Sequence, residues 1–190
     1  REAGTNVGAY DIALGAGAKA ANYAITFTAD NNAFTITPKT VSLSASKIYD
    51  GTNDLTGAVT LSTGVGVETL TYTGAVANAA TVADAQFISS ITLTNGTNGE
   101  LASNYHLPTL NVANAPTNIL HRPITLSANA ATKVYGEADP ALSYGAEAAN
   151  GSRGLVAGDV FAGAVTRAAG ETVGAYAIER GSIANSNYAI

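Results

Sequence analysis

The sequence predicts an all-β chain of small modules set end to end, each an antiparallel β-sandwich. Three observations lead there. Apolar residues alternate with Thr and Ser through most of the chain, the period of half-buried strands. A segment near the start recurs near the end. The apolar fraction of 46% owes much to Ala, with no Trp, no Met and four Phe. Burial yields roughly 25 cal/mol per Å² of apolar surface, so several shallow cores suit this composition better than one deep core.

The strands follow in order. Tyr23, Ile25 and Phe27 alternate with Ala24, Thr26 and Thr28, and Phe34 and Ile36 with Thr35 and Thr37. Val41, Leu43 and Ala45 alternate with Ser42 and Ser44. Leu70 and Tyr72, then Ile91 and Leu93, sit between threonines, and Ile124, Leu126 and Ala128 continue the pattern. β-Branched Thr on the polar side suits a pleated surface. Asn95-Gly96 and Asn150-Gly151 mark turns, since both residue types tolerate positive φ. Two stretches, Ala75 to Phe87 and Gly154 to Phe161, leave room for a short helical turn, although Asn, Gly and β-branched residues interrupt both. Seven or so strands in the middle of the chain favour a sandwich. A β-grasp-like module with one short helical turn is the alternative.

Self-comparison divides the chain. Arg1 to Ile12 (R-E-A-G-T-N-V-G-A-Y-D-I) returns as Arg167 to Ile178 (R-A-A-G-E-T-V-G-A-Y-A-I), and Asn22-Tyr23-Ala24-Ile25 returns as Asn187-Tyr188-Ala189-Ile190. Ser103-Asn104-Tyr105 is a weaker third copy. An opening element also repeats: Leu43-Ser44-Ala45 with Lys47-Ile48-Tyr49-Asp50-Gly51, and Leu126-Ser127-Ala128 with Lys133-Val134-Tyr135-Gly136, each preceded by a proline, Pro38 or Pro123. The expected organisation is the closing half of a module over 1–36, a complete module over 37–119, and a module lacking its last strand over 120–190. Proline at the first joint fixes φ, and neither joint has a Gly/Ser-rich linker. A semi-rigid rod is expected.

Lys47-Ile48-Tyr49-Asp50-Gly51-Thr52, with Ser103-Asn104-Tyr105, resembles the YDG repeat domain. Lys133-Val134-Tyr135-Gly136, Asp139-Pro140-Ala141-Leu142, Leu155-Val156-Ala157-Gly158-Asp159, Arg167, Gly170, Val173 to Ile178 and Asn187-Tyr188 together are similar to the MBG repeat domain. Arg1 to Pro38 resembles the tail of a preceding MBG copy. Val76 to Thr81 departs from the Gly-rich stretch expected there. The resemblance implies tandem repeats of large secreted bacterial proteins, many of them filamentous-haemagglutinin-like adhesins. The implied role is a stalk or spacer at the bacterial cell surface or in an extracellular biofilm matrix. These families carry no catalytic residues.

The chemistry visible in the residues agrees. Charged residues are 12% and the net charge is −5, so nothing marks a nucleic-acid partner. No apolar run reaches membrane-spanning length, and the chain has no Cys, which removes disulfides and thiolate metal sites. Asp50 and Asp54, and Glu137 and Asp139, could serve calcium. Calcium takes six to eight oxygens, and turn capping is the favoured reading. His106 and His121 lack metal-ligand spacing. No G-x-S-x-G or phosphate-loop motif occurs. Lys19, Lys39, Lys47 and Lys133 are the only lysines for an isopeptide bond, which needs a buried lysine. Asn95-Gly96-Thr97 and Asn150-Gly151-Ser152 match the glycosylation acceptor, a chance match in Asn-rich loops. The expectation is no enzyme, no cofactor, and no catalytic or metal residue.

The repeated tyrosines, Tyr23, Tyr105 and Tyr188 after Asn and Tyr49 and Tyr135 after Lys-aliphatic, are read as core residues with bonded hydroxyls. An exposed platform for surface glycans is the rival. Expected partners are neighbouring repeats or identical chains, joined head to tail by strand complementation. A carbohydrate- or cell-surface-binding β module is the second functional reading.

Overall fold

A computed structural model describes residues 4–15, 21–28 and 30–190. The regular structure among the described residues is β-strand, joined by turns and irregular segments, with one 3₁₀ turn at Ala102–Asn104. Among them, no helix is long and apolar enough to cross a membrane. Neither Ala75 to Phe87 nor Gly154 to Phe161 forms a helical turn. The first supplies strand residues and the second runs as turns and bends.

The chain starts with a hairpin, β1 (Gly8–Ile12) against β2 (Asp30–Ile36), with Gly8 opposite Ile36 and Tyr10 opposite Phe34. Thr37 and Pro38 lead directly into β3 (Lys39–Thr40) and β4 (Ser42–Ile48). Then come β5 (Val59–Ser62), β6 (Thr71–Ala77), β7 (Ile88–Thr94), β8 (Tyr105–His106) and β9 (Thr117–Leu120). Residues 37–120, called the middle unit below with 121–190 the last, thus hold seven strands. One sheet has the order β5-β4-β9, and β6 and β7 form a separate hairpin.

Period-two patterning builds the core between them. Val41, Leu43 and Ala45 are buried while Ser42, Ser44 and Ser46 face solvent. Ala75, Ala77, Ile88 and Ile91 from the hairpin join the same cluster, with Leu55 and Ile119 fully enclosed.

Only His121 separates β9 from β10 (Arg122–Pro123). β11 (Leu126–Ala128) pairs with β12 (Tyr144–Ala146), and β13 (Thr166–Arg167) with β14 (Ile178–Glu179). β15 (Tyr188–Ala189) comes last and pairs with β10. Asn150 and Arg153 exchange backbone bonds around Gly151, whose φ of 54° the Asn-Gly turn requires. Ile124 and Tyr188 belong to the core cluster of the middle unit, and Leu155, Val156 and Phe161 pack on it. The two units therefore share one apolar cluster.

Three pairings are parallel: β3 with β8, β4 with β9, and β10 with β15. The sandwich pattern in the sequence pointed to antiparallel pairs, and those supply the hairpins. Each parallel pair joins a strand near the start of a unit to one near its end. Two such strands run the same way only if the chain crosses the unit from one end to the other. Topology thus places the connections of the middle unit at opposite ends.

Tyr23 to Thr28 is not a strand, although its alternation predicts one. Tyr23 is 80% exposed, and Ile25 and Phe27 are also open to solvent. The same Asn-Tyr-Ala-Ile sequence does form β15, where Arg122 pairs with Tyr188. Tyr23 has no such strand beside it among the described residues, and a strand exists only through its partner.

Candidate functional site

The surfaces that bring the units together contain the most concentrated side-chain chemistry. The first component is the turn after β4. Lys47 Nζ donates to Asp50 Oδ1 at 2.6 Å, to the Thr52 carbonyl at 2.8 Å and to the Asp54 carbonyl at 2.9 Å. Asp50 Oδ1 accepts the Thr52 amide at 2.9 Å, and Asp54 Oδ1 accepts the Thr56 amide at 2.8 Å. Burial opposes ionisation of Asp50, but bonds from Lys47 and Thr52 outweigh it and hold its carboxyl below the ordinary value. Asp50 and Asp54 are thus turn caps. The closed turn sends Tyr49 inward, where it is 4% exposed.

Tyr188 meets Tyr49 edge to face, with ring centroids 5.7 Å apart, and leans on Phe161 at 5.1 Å. Both hydroxyls donate to Asp159, Tyr49 to Oδ1 at 3.2 Å and Tyr188 to Oδ2 at 2.5 Å. The Tyr188 hydroxyl also accepts the Val156 amide at 2.9 Å. Burial and the Asp159 carboxylate raise both phenols above their ordinary value, Tyr188 to about 12. Gly51 lies so close that a Cβ on it would come within 2.9 Å of Val156 Cγ1.

Arg122 stitches the joint from beneath. It is buried, and among the described residues its guanidinium serves backbone carbonyls alone: Gly154 at 2.7 Å, Arg153 at 2.5 Å, Gly151 at 2.9 Å and Tyr49 at 3.3 Å. The first three belong to the last unit and the fourth to the middle unit. Beside it, Asn187 Oδ1 accepts the Val82 amide at 2.9 Å.

The same arrangement recurs one unit earlier. Asn104 Oδ1 accepts the Val7 amide at 2.9 Å, and its Nδ2 donates to Asn6 Oδ1 at 2.8 Å. The following Tyr105 is buried and donates to Glu68 Oε2, as Tyr188 donates to Asp159. Glu68 and Asp159 close equivalent turns, their amides bonding to the carbonyls of Val65 and Val156 at 2.9 and 3.1 Å. In both places the Asn-Tyr of one unit fastens to a valine amide of the unit before it.

A second cluster lies on the last unit. Lys133 Nζ is 2.7 Å from both Asp139 Oδ1 and Glu171 Oε2, and Arg167 bonds Asp139 Oδ2 at 2.8 Å and Glu171 Oε1 at 2.5 Å. Arg167 and Lys133 hold the Asp139 carboxyl at about 2 and lower that of Glu171. The Arg167 guanidinium stacks on the Tyr176 ring, 5.4 Å from its centroid. These residues border a cavity of about 470 Å³ that Tyr135 and Val173 also line. Every charge in this quartet is partnered within it, an arrangement that orders a loop.

Of the other residues singled out in the sequence, His106 Nε2 lies 2.6 Å from Thr40 Oγ1, and His121 sits on the surface near Arg180. His121 shares that surface with Tyr188, while the Asp159 carboxylate takes its hydrogen bonds from the two phenols. Glu137 closes a turn with its amide to the Val134 carbonyl. Lys19 and Arg1 lie outside the described residues. Tyr49, Tyr105 and Tyr188 are core residues, as expected, whereas Tyr23 and Tyr135 are exposed. Arg122, Asp159 and Asn187 were not legible as joint residues. The repeated Asn before Tyr was the available signal for Asn187.

A family model of the MBG domain (YGX type) matches residues 124–190. No curated protein and no solved structure matches the chain.

Proposed function

We propose that the chain is a non-enzymatic run of spacer modules from a bacterial cell-surface or extracellular protein of the adhesin kind. An MBG-like unit follows a YDG-like unit in this reading. The similarity of residues 124–190 to an MBG domain supports the first assignment, and Lys47-Ile48-Tyr49-Asp50-Gly51 with Asn104-Tyr105 supports the second. One observation carries the role: in the middle and last units a strand near the start pairs parallel with a strand near the end, and Asn104-Tyr105 and Asn187-Tyr188 each fasten to the unit before.

A spacer must hold its length under tension. In the middle unit, β4 and β9 pair in parallel from Ala45 opposite Thr117 to Ile48 opposite Leu120. Pulling on the two ends draws these strands past each other, so their bonds are loaded together rather than opened one by one. A glycan-binding module instead needs an exposed aromatic platform; of the repeated tyrosines Tyr49, Tyr105 and Tyr188 are buried, and Tyr23 and Tyr135 are exposed at separate places in the chain.

Single-molecule stretching of the chain, tethered at both ends, tests the reading. A distinct rupture peak for the middle unit is expected, lowered by Asn118→Pro, which removes a ladder donor from β9. Smooth extension without a peak would count against a spacer that holds its length under tension. So would calcium-dependent retention on a glycan array.

A further inference from the structure

The valine that each Asn-Tyr fastens to recurs a third time, at Val173. Thr172-Val173-Gly174-Ala175-Tyr176 repeats Asn6-Val7-Gly8-Ala9-Tyr10. The likeness extends to geometry: the Tyr10 hydroxyl donates to the Asn6 carbonyl at 2.7 Å, and the Tyr176 hydroxyl to the Thr172 carbonyl at 2.7 Å. In both copies a glycine, Gly4 or Gly170, lies against the tyrosine ring. Yet Val7 is half-buried with its amide on Asn104, whereas Val173 is 91% exposed.

A second surface is open in the same place. Tyr49, in Lys47-Ile48-Tyr49, receives the Tyr188 ring. Tyr135, in Lys133-Val134-Tyr135, is 72% exposed. Asn187 and Tyr188 use Val82 and Tyr49 of the middle unit. Their counterparts in the last unit, Val173 and Tyr135, line one cavity of about 470 Å³.

We infer that the Tyr135–Val173 cavity of the last unit receives the Asn-Tyr segment of a further module of the middle type, having the chemistry of residues 26–119. The side-chain oxygen of its asparagine accepts the Val173 amide. Its strand corresponding to β2 lies beside Gly174 to Tyr176, as β2 lies beside Gly8 to Tyr10. The tyrosine after that asparagine covers Tyr135. The Lys133–Asp139–Arg167–Glu171 network holds the two walls of the cavity in place for this contact. The inference rests on the spacer reading and names the partner surface that reading requires.

The test is a longer chain in which a copy of residues 26–119 follows Ile190. That register is natural because Asn187-Tyr188-Ala189-Ile190 duplicates Asn22-Tyr23-Ala24-Ile25. Hydrogen exchange followed by NMR reads the Val173 amide in both chains. It should slow about tenfold or more in the longer chain, as a newly bonded amide does. Asn104→Ala in the appended copy alone should abolish the slowing, and Asn104→Asp, which keeps an acceptor, should retain it. Unchanged exchange at Val173 with a folded appended module would overturn the inference, as would slowing that depends on chain concentration or follows addition of an oligosaccharide. Protection of Val7 and Val82 in the same samples would leave the spacer reading standing.

Discussion

Asn187 Oδ1 accepts the amide proton of Val82 at 2.9 Å across 105 residues of chain. One side chain of the last unit thereby satisfies a backbone donor of the middle unit at the edge of their shared cluster. Removing it leaves that donor without its partner. Asn187→Ala should lower stability by about 1–2 kcal/mol and speed exchange of the Val82 amide, while Asn187→Asp should spare both. Urea unfolding combined with amide exchange checks the pair. Equal behaviour of the two variants would mean that the bond contributes nothing.

Arg122 is a buried cation bonded to four carbonyls and, among the described residues, to no carboxylate. Its planar fork suits several acceptors at once, which an ammonium cannot reproduce. Arg122→Met preserves length but strands those carbonyls, and should cost about 3 kcal/mol. Arg122→Lys should recover only part of the loss in urea unfolding. Full recovery by lysine would show that charge alone matters at this position.

Alkaline pH should loosen the joint. Burial and Asp159 raise Tyr188 from about 10 to about 12 and raise Tyr49 in the same direction. A raised value means that folding favours the neutral phenol. The resulting stability is complete below pH 10 and is lost as pH rises towards 12. Unfolding followed across that window should show the decline, and Tyr188→Phe should make it shallower. An unchanged slope in that variant would remove Tyr188 from the account.

Acid should act elsewhere. The bonds from Arg167 and Lys133 hold the Asp139 carboxyl at about 2, against an ordinary 3.8. A depressed value stabilises the fold fully above the ordinary value and fails as pH falls through 2. Amide exchange over residues 131–142 should quicken in that window before the middle unit responds. Asp139→Asn should produce the same local change at neutral pH. If the middle unit loosens first, the quartet is not what orders this loop.

The alternation of Val41, Leu43 and Ala45 with Ser42 and Ser44 announced strands because burial on one face imposes period two. Recurrence of Asn-Tyr announced structural tyrosines, and Tyr105 and Tyr188 are buried. Tyr23 carries the same dipeptide and is exposed, since burial depends on the strand alongside and not on the dipeptide. The parallel pairing of β4 with β9 joins residues about 70 positions apart, and local pattern holds no record of such a partner. Arg122 was illegible for a related reason. Arginine before proline reads as surface, and only the meeting of Tyr49 with the Gly151–Gly154 turn encloses it.

The middle and last units are held in one fixed relation by the Asn187, Arg122 and Tyr188 contacts. The chain has no cysteine, so Ser62→Cys with Ser127→Cys places nitroxides at exposed sites on β5 and β11 without background labelling. Pulsed electron resonance between them should give one narrow distance distribution, broadened by Arg122→Met. A broad distribution in the otherwise unaltered chain would contradict the account.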